Sequence, residues 1–437
     1  MIPHRGAIWG AVLAGFVLVG PVAAPARAAT GIVVPVPDSI DPTGATDVSA
    51  PLNAFFARLV PGTNVQFPAA GRYRIDGTVL LLNRRRLTVD DNSSTFFAAT
   101  DGSTVPPPRG PARAHWPRLR QQLRIRGGTG VTLRNLTVKG ANPHGGATPG
   151  AFVAALEGQA GISIQKTAGA TIESTHVSDT YGDAVYIVGG STNVTVRNST
   201  FERTGRQGVA IVSATHVVVE HNRIRDVGRS VFDLEPLGRA VVRDVHLTDN
   251  TIGDYSNFLL AAGGGGPEVN DIWLEHNRVD GGNGVSVYAG VARQRRSGYH
   301  VIGNTGSGSH LPPGGTGRSG LLQLANLDHV EIRDNHQGVA QGSAVSLDRV
   351  CDVTVTDNQF PGAHPAKQVV APCGAALTSP SSRPAATPTT TLAAPERGDD
   401  SDGNDGWVWP VVVGFAAGLG VAGAGFALWR YRSRRGL

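Results

Sequence analysis

The chain has 437 residues, of which 58 are glycine, one is methionine and only 17% are charged. This composition fits one elongated domain with targeting segments better than two or three compact domains. For an exported chain, the net charge of +5 gives little support for nucleic-acid binding, whereas arginine side chains can bind the carboxylate or sulfate groups of an acidic polymer.

The N-terminus has the pattern of a secretory leader. Arg5 precedes the apolar stretch 7–20, and Ala26-Arg27-Ala28 offers small residues around a cleavage site. We therefore expect a signal peptide at residues 1–28 and an exported mature chain.

Residues 29–125 are predicted to form an N-terminal cap and the first coils of the domain. A turn of the form D-x-x-G-x-x-D begins at Asp41, and an amphipathic helix is expected near Ser49 to Leu59. The strand pair FPAAGRYRIDGTV follows. Such a helix would cover the apolar interior and the unpaired strand edge at the open end of a solenoid.

A short β-branched segment followed by a polar turn returns about every 23 to 31 residues between Val131 and Phe360. Aligned on this segment, the sixth position is Leu136, Thr175, Ser199, Asn222, Asn250, Asn277, Asn304, Asn335 and Asn358. Asparagine tolerates left-handed backbone geometry, and its amide can bond the amide of the next coil. The pattern predicts an all-β fold, a parallel β-helix over residues 126–374, with about nine recognisable coils.

Each repeat also carries a second strand about ten residues after the sixth position, as in AVYIV, GVAIV and VFDLE. Alternation should turn one set of side chains into the coil: Val185, Ile187, Val209, Ile211, Phe232 and Leu234. The opposite set, Tyr186, Ala210, Asp233 and Glu235, is expected to face outwards.

The opening residues 36–97, with the coils that follow to about residue 360, resemble the pectate-lyase-like superfamily. The resemblance implies a right-handed β-helix, an architecture that hosts lyases, hydrolases, epimerases, tailspikes and adhesins. Polygalacturonase-like hydrolases place two adjacent aspartates on one coil and a histidine on the next. Asp183 matches the second aspartate, but Gly182 and Gln207 stand at the other two positions.

Two carboxylates are the best catalytic candidates. Asp233 and Glu235, in VFDLEP, should lie on the same side of one strand about 6.6 Å apart, near the spacing of inverting glycosidases. One would protonate the leaving oxygen and the other would activate water. The competing interpretation is structural: Glu235 caps the strand exit before Pro236, and Asp233 pairs with Arg206 or Arg229.

Substrate-binding candidates lie on neighbouring coils. Arg206 and Arg229 share one phase, so their stacked charges favour an anion between them. Tyr181, Tyr186, Tyr255 and Tyr288 offer flat faces to sugar rings, and a tyrosine beside an arginine can also serve in elimination chemistry. The candidate catalytic residues are thus Asp233, Glu235 and Asp183, and the candidate substrate-binding residues are Tyr181, Tyr186, Arg206, Gln207 and Arg229.

Alternating charges on the same coils have a structural interpretation. Asp179, Arg203 and Asp226 are predicted to form an ion-pair ladder.

Cys351 and Cys373 are predicted to form a disulfide that closes the last coil, as in exported proteins. We expect no catalytic metal and no cofactor.

The C-terminal part predicts a membrane anchor. Residues 375–405 are rich in Pro, Thr and Ser and should form a disordered stalk. Residues 406–429 contain no charged residue and are long enough for a transmembrane helix, and residues 430–437 carry four arginines, as expected of a cytoplasmic tail. The coils would then lie outside the cell.

These features predict a cell-surface carbohydrate-active protein, either a hydrolase or a lyase that acts on a polysaccharide, possibly an acidic one. The alternative is a non-catalytic surface scaffold for polysaccharide binding or adhesion. The missing polygalacturonase residues favour the scaffold, whereas polar groups concentrated on three adjacent coils favour the enzyme.

Overall fold

The computed structural model describes residues 31–373 except 91, 282, 292–293, 308–320, 339–342 and 363–366. From Ile32 onwards these residues form a parallel β-solenoid. Each strand pairs in parallel with the equivalent strands of the coils before and after it. The predicted parallel β-helix is confirmed, and most coils contribute three strands rather than the two expected from the repeat.

We call the three stacks of strands sheets 1, 2 and 3. Sheet 1 contains Ile32–Pro35, Thr63–Gln66, Arg85–Asp90, Thr129–Arg134, Ala168–Glu173, Ser191–Arg197, Ala214–Glu220, Val241–Thr248, Glu268–Glu275, Arg296–Ile302 and Leu327–Arg333. Sheet 2 contains Arg72–Arg74, Thr95–Phe97, Thr137–Lys139, His176–Ser178, Thr200–Thr204, Arg223–Val227, Thr251–Ile252, Arg278–Val279, Thr305–Gly306 and His336–Gln337.

Sheet 3 contains Val79–Leu82, Leu123–Arg126, Ile162–Gln165, Val185–Val188, Val209–Ile211, Phe232–Leu234, Leu260–Ala262, Val287–Ala289, Leu322–Ala325 and Lys367–Val370. The long strand Val345–Thr356 pairs with sheet 3 in its first half and with sheet 1 in its second half.

A helix forms at Ser49–Ala57, inside the span predicted for the N-terminal helix and two residues shorter than expected. The Asp47 carboxylate accepts hydrogen bonds from the Ser49 amide at 3.0 Å and hydroxyl at 2.6 Å, which fixes where the helix begins. At its other end the Arg84 guanidinium donates to the Phe56 carbonyl at 2.9 Å, a favourable place for a cation. Two short 3₁₀ helices lie at Pro111–His115 and Ala154–Leu156.

The interior of the coils is apolar, as the alternation predicted. Val185, Ile187, Val209, Phe232 and Leu234 are all fully buried. Because every coil contributes side chains at matching phases, one continuous hydrophobic core runs through the solenoid.

The asparagine ladder is confirmed. Asn250 Nδ2 donates to Asn277 Oδ1 at 3.0 Å and to the Val219 carbonyl at 2.9 Å, and the backbone amide of Asn250 also donates to Asn277 Oδ1 at 3.0 Å. Asn222, Asn277, Asn304 and Asn335 repeat these three bonds.

The left-handed residue at this corner is the residue before each ladder position, not the asparagine itself. These residues are Asn135, Ser174, Asn198, His221, Asp249, His276, Gly303, Asp334 and Asp357, with φ between 49° and 64°. The reason is that the ladder side chain points into the coil, so the chain must turn just before it.

The described residues correct the predicted fold class in one respect. None of their helices has the length and apolar character needed to span a bilayer, so the transmembrane helix of the prediction is wrong for this part of the chain. Residues 406–429, on which it rested, lie outside the described residues, as do residues 1–28, 375–405 and 430–437. Over the described residues the fold is an all-β solenoid with a short N-terminal cap.

Cys351 and Cys373 are joined by a disulfide, with their Cα atoms 5.2 Å apart. Cys351 is buried within the long strand Val345–Thr356, and Cys373 lies just after the last strand of sheet 3. The bond therefore ties the exit segment back to the last coil.

Candidate functional site

Three consecutive strands of sheet 3 bring the candidate catalytic residues together. The register aligns Tyr186 with Ala210, and Ala210 with Asp233. Because alternate residues point to opposite faces, this row lies on the outside of the coils. Asp183 precedes the first of these strands and Glu235 follows the third, so both carboxylates reach the same patch. We call Asp183, Arg206, Gln207, Asp233 and Glu235 the acidic cluster.

Arg206 is the centre of the acidic cluster. Its Nη1 lies 3.2 Å from Asp183 Oδ2, and its Nη2 lies 2.8 Å from Glu235 Oε2 and 3.7 Å from Asp233 Oδ2. The guanidinium group thus serves three carboxylates. Its expected partner in an anion site, Arg229, lies elsewhere, with its guanidinium carbon 4.7 Å from the centre of the Phe152 ring. The predicted anion site between Arg206 and Arg229 is therefore not formed, because the charge of Arg206 is already balanced by carboxylates.

Gln207 links the coils. Its backbone amide donates to Asp183 Oδ1 at 3.0 Å, and its Nε2 donates to Asp233 Oδ2 at 2.8 Å. Its Oε1 accepts a hydrogen bond from the Ser230 amide at 2.7 Å. Gln207, at the position where the resemblance led us to look for a histidine, therefore holds both aspartates in place.

The carboxyl groups of the cluster have unequal environments. Burial raises the pKa of Asp233 to about 8, with a further rise from Glu235 and an opposing effect of Arg206. Burial likewise raises the pKa of Asp183 to about 6, against the attraction of Arg206. Burial acts against the charged form of Arg206, but Asp183, Asp233 and Glu235 together raise its pKa. The side chain of Glu235 is 23% exposed, compared with 9% for Asp233.

The position of Gly182 explains one departure from the polygalacturonase pattern. A Cβ atom at residue 182 would lie 2.4 Å from the Glu157 carbonyl oxygen. The backbone of the insertion at residues 140–160 thus covers this position, and an aspartate there would clash with it. The insertion approaches the neighbouring turn in the same way, since a Cβ atom at Gly205 would lie 2.8 Å from the Ala151 carbonyl oxygen.

The tyrosines differ in exposure. Tyr186 is buried beside the acidic cluster, and burial followed by Asp183 raises its pKa. Tyr181 is partly exposed, and burial raises its pKa as well. Tyr255 is buried and its hydroxyl contacts Ser286 Oγ at 2.7 Å, so its ring is not available to a sugar. Tyr288 packs against Phe258 with ring centres 5.6 Å apart.

The predicted charge ladder is formed only in its first step. Arg203 Nε lies 2.6 Å from Asp179 Oδ1. Asp226 instead accepts a hydrogen bond from the Ala147 amide at 2.8 Å, in the insertion at 140–160. The third charge therefore anchors a loop rather than extending the ladder.

Two further residues on this face were not singled out from the sequence. Arg124 and Arg126 lie on the outer side of the strand Leu123–Arg126, in register with Ser163 and Gln165. The signal was present, because LRIR alternates apolar and basic side chains in a strand of sheet 3.

Among the described residues, one group has the spacing of metal ligands: Asp328, Cys351 and Cys373. Both sulfur atoms are held in the disulfide, so they do not offer thiolates to an ion.

Comparisons with known proteins agree with this architecture. A family model described as a right handed beta helix region matches residues 121–305. No curated protein matches the chain.

Solved structures with similar folds include enzymes and an adhesin. An exopolygalacturonase from Thermotoga maritima is 13% identical, with 77% of this chain and 90% of that chain covered and a TM-score of 0.49. The surface adhesin PfbA of Streptococcus pneumoniae is 11% identical, covering 76% and 90%, with a TM-score of 0.48. An α-1,3-glucanase from Streptomyces thermodiastaticus is 16% identical, covering 81% and 68%, with a TM-score of 0.42.

Proposed function

We propose that this chain, whose residues 121–305 match a right-handed β-helix family model, is a carbohydrate-active protein that hydrolyses a polysaccharide on the outer face of sheet 3. The observation that carries the proposal is the pair Asp233 and Glu235, two carboxyl groups of unequal burial on one strand and its exit, held by the same guanidinium group. Environments that separate the proton affinities of neighbouring carboxyl groups suit one of them to act as an acid.

The separation of the two carboxyl groups favours retention of configuration. Asp233 Oδ2 and Glu235 Oε2 lie 3.7 Å and 2.8 Å from the same nitrogen of Arg206, so these oxygens are at most 6.5 Å apart. Inverting enzymes keep their carboxyl groups about 6.5–9.5 Å apart, whereas retaining enzymes use about 5–5.5 Å. In this proposal the second carboxylate therefore acts as the nucleophile, whereas the sequence led us to expect that it would activate water directly.

In the proposed first step, a Glu235 carboxylate oxygen attacks the anomeric carbon and the glycosidic carbon–oxygen bond breaks. Asp233, protonated because burial raises its pKa to about 8, gives its proton to the leaving oxygen. In the second step water attacks the same carbon, Asp233 takes the water proton and the Glu235 bond breaks. Asp183 and Gln207 position Arg206 and Asp233.

Hydrolysis is favoured over elimination by the state of the tyrosines. A tyrosine that abstracts a proton must be ionised, but burial raises the pKa of both Tyr181 and Tyr186. The ionised form of both tyrosines is therefore disfavoured, chiefly by burial.

A non-catalytic polysaccharide-binding scaffold is the second candidate. One observation favours it: Arg206 already contacts three carboxylates whose side chains are 3%, 9% and 23% exposed. Such a closed network can stabilise the coils without touching a substrate. Export of the chain also remains a proposal, supported by its disulfide.

The test is product formation by the full chain on acidic and neutral polysaccharides, measuring new reducing ends and the absorbance of unsaturated sugars together. We expect reducing ends without unsaturated products, retained anomeric configuration, and losses of about a hundredfold or more in Asp233→Asn and Glu235→Gln. Asp226→Asn is the matched control, since that carboxylate binds a loop amide. Unsaturated products would indicate a lyase, and retention of polymer without product would favour the scaffold.

A further inference from the structure

An open groove of about 490 Å³ lies at the corner where sheet 1 leads into sheet 2. It runs across four coils, from Ser93 through Asn135 and Ser174 to Asn198. Its volume falls within the range of about 300–1,000 Å³ that is typical of small-ligand sites. No residue that lines it belongs to sheet 3, so the groove is separate from the acidic cluster.

Short side chains at this corner create the groove. The left-handed corner residue is serine or asparagine in these four coils, but it is His221 in the next coil and His276 two coils further on. In the same way, Thr200 on sheet 2 lies next to Arg223 of the following coil, whose side chain is longer. The groove therefore ends where histidine and arginine side chains begin to occupy the corner.

The lining of the groove is polar and largely unpaired. Leu136 is its only apolar residue, and every other lining residue has a hydroxyl, amide, imidazole or carboxyl group. In the part of the chain that the structure describes, the exposed side chains of Ser93, Ser174 and Asn198 make no hydrogen bond to the protein. Because hydroxyl and amide groups both donate and accept hydrogen bonds, they suit the hydroxyl groups of a sugar.

The imidazole of His176 lies in the groove in a fixed orientation. Its Nε2 atom lies 3.0 Å from Glu202 Oε1, and the other carboxylate oxygen of Glu202 contacts Arg225. The register places Thr137 and Thr200 on either side of His176, on the outer face of sheet 2. Since a carboxylate bound to one ring nitrogen fixes the tautomer of the ring, Nδ1 of His176 is left for a ligand.

The charges at the groove are already balanced. Asp90 Oδ2 accepts a hydrogen bond from Arg134 Nε at 2.8 Å, and Asp90 Oδ1 accepts one from Asn135 Nδ2 at 2.9 Å. Glu202 is balanced by Arg225 in the same way. Because each of these carboxylates is paired with an arginine, the groove favours a neutral ligand over an anion or a cation.

The spacing of the corner residues matches a saccharide chain. Stacked coils lie about 4.8 Å apart, so the four corner residues extend over about 14 Å. One ring of an extended saccharide has nearly the length of one coil step, so consecutive rings would meet equivalent side chains. A peptide is less suited, because an extended peptide is recognised through pockets for alternate side chains, and Leu136 is the only apolar residue here.

We propose that the groove between sheets 1 and 2 binds a neutral saccharide chain that lies along the axis of the solenoid. The hydrogen-bonding groups are the Ser174 hydroxyl, the amides of Asn135 and Asn198, and the free ring nitrogen of His176. This binding site goes beyond the proposed hydrolysis and does not depend on it, because none of these residues belongs to the acidic cluster.

The experiment is isothermal titration of the full chain with cellohexaose, maltohexaose and mannohexaose, and with hexagalacturonate as a charged comparison. At least one neutral hexasaccharide should bind. Ser174→His should weaken this binding about tenfold or more, because the imidazole would occupy the groove and displace several hydrogen bonds. Asn198→Ala should weaken it about threefold to tenfold, as expected for the loss of one or two neutral hydrogen bonds.

The fold itself shows that a histidine is compatible with this corner. His221 and His276 occupy the equivalent position with φ of 55° and 52°, so the Tm of Ser174→His should match that of the wild type. Asp357→His is the matched control, because Asp357 has the same corner position in the last coil, outside the groove, with φ of 55°. It should leave the affinity unchanged. Should Ser174→His fail to fold, Asn198→Ala still tests the proposal.

The outcomes separate this site from the acidic cluster. Binding of a neutral hexasaccharide that is weakened in Ser174→His and kept in Asp357→His would support the groove. No binding of any neutral hexasaccharide, binding of hexagalacturonate alone, or an equal loss in Asp357→His would overturn it. Binding lost in Asp233→Asn but kept in Ser174→His would assign the saccharide to the acidic cluster and overturn the groove as well. Failure of the proposed hydrolysis is distinguishable, since it would remove product formation without changing binding at the groove.

Discussion

The asparagine ladder and the acidic cluster are two buried polar networks of the same solenoid, built on opposite principles. In the asparagine ladder, each neutral side-chain amide makes the same hydrogen bonds to the next coil. Asn277 Nδ2, for example, donates to Asn304 Oδ1 at 3.0 Å. In the acidic cluster, three different carboxylates share the guanidinium group of Arg206. Its Nη2 atom lies 2.8 Å from Glu235 Oε2 and 3.7 Å from Asp233 Oδ2. A network that only holds coils together repeats with the fold, whereas one suited to chemistry departs from the repeat.

The largest effect should come from removing the shared cation. Arg206→Gln leaves three carboxylates without their counter-charge, so we expect the free energy of unfolding at pH 8 to fall by about 3–5 kcal/mol. Arg203→Gln is the control, because Arg203 is 44% exposed and pairs with Asp179; exposed pairs contribute about 0–1 kcal/mol. Chemical denaturation measures both. Equal losses of unfolding free energy in the two variants would show that the contacts of Arg206 contribute no more than those of an exposed ion pair.

The ladder should be nearly as sensitive at its centre. Asn277→Ala removes the acceptor of the Asn250 amide and the donor to the Leu247 carbonyl, all in buried surroundings. We expect a loss of about 2–4 kcal/mol in the free energy of unfolding. Asn358→Ala, at the less buried end of the ladder, should cost about half as much. A larger loss at Asn358 would show that the ladder is not stabilised by burial of its amides.

The two networks should differ in their response to pH. Because burial raises the pKa values of Asp183 to about 6 and Asp233 to about 8, the folded chain binds these protons more tightly than the unfolded chain. Their contribution to stability is complete below about pH 4 and is lost as the pH rises to about 8.

Asp233→Asn should therefore flatten this dependence by roughly 1–3 kcal/mol between pH 5 and pH 9, as urea unfolding at both pH values would show. Asn277→Ala should lower stability equally at both. A wild-type chain whose stability rises across this range would contradict the assigned protonation of Asp233.

The smallest effect should come from extending the ladder. Ser199 already donates its amide to Asn222 Oδ1 at 3.0 Å, but its hydroxyl cannot make all the bonds of an asparagine. Ser199→Asn should raise the free energy of unfolding by about 0.5–1 kcal/mol if the added amide reaches the preceding coil as its neighbours do. Thr200→Asn, one position outside the ladder, is the control and should not stabilise the chain.

This contrast also explains what the sequence could predict. The ladder follows from spacing alone, because each asparagine bonds the equivalent residue of the next coil. The acidic cluster needs distances across coils. The pattern allowed both an arginine pair at Arg206 and Arg229 and an ion pair of Asp233 with either arginine, and only the contacts place Arg206 among carboxylates and Arg229 over Phe152.

The insertion at residues 140–160 was equally beyond reach, because no periodicity indicates where a loop folds back. Its contacts determine that only glycine fits at Gly182 and that Asp226 binds the Ala147 amide. The burial of Tyr186 and Asp233 on the outer face, which shifts their pKa values, was likewise not contained in the alternation of the strands.

The central claim, that Asp233 acts as the protonated acid of a glycosidase, is tested most directly by the pH dependence of kcat/KM on a cleaved polysaccharide. Burial that raises the pKa of Asp233 to about 8 predicts a plateau below that value. Above it, activity should fall about tenfold per pH unit as the proton is lost. Activity that stays level or increases well above pH 8 would contradict the assignment of Asp233 as the acid.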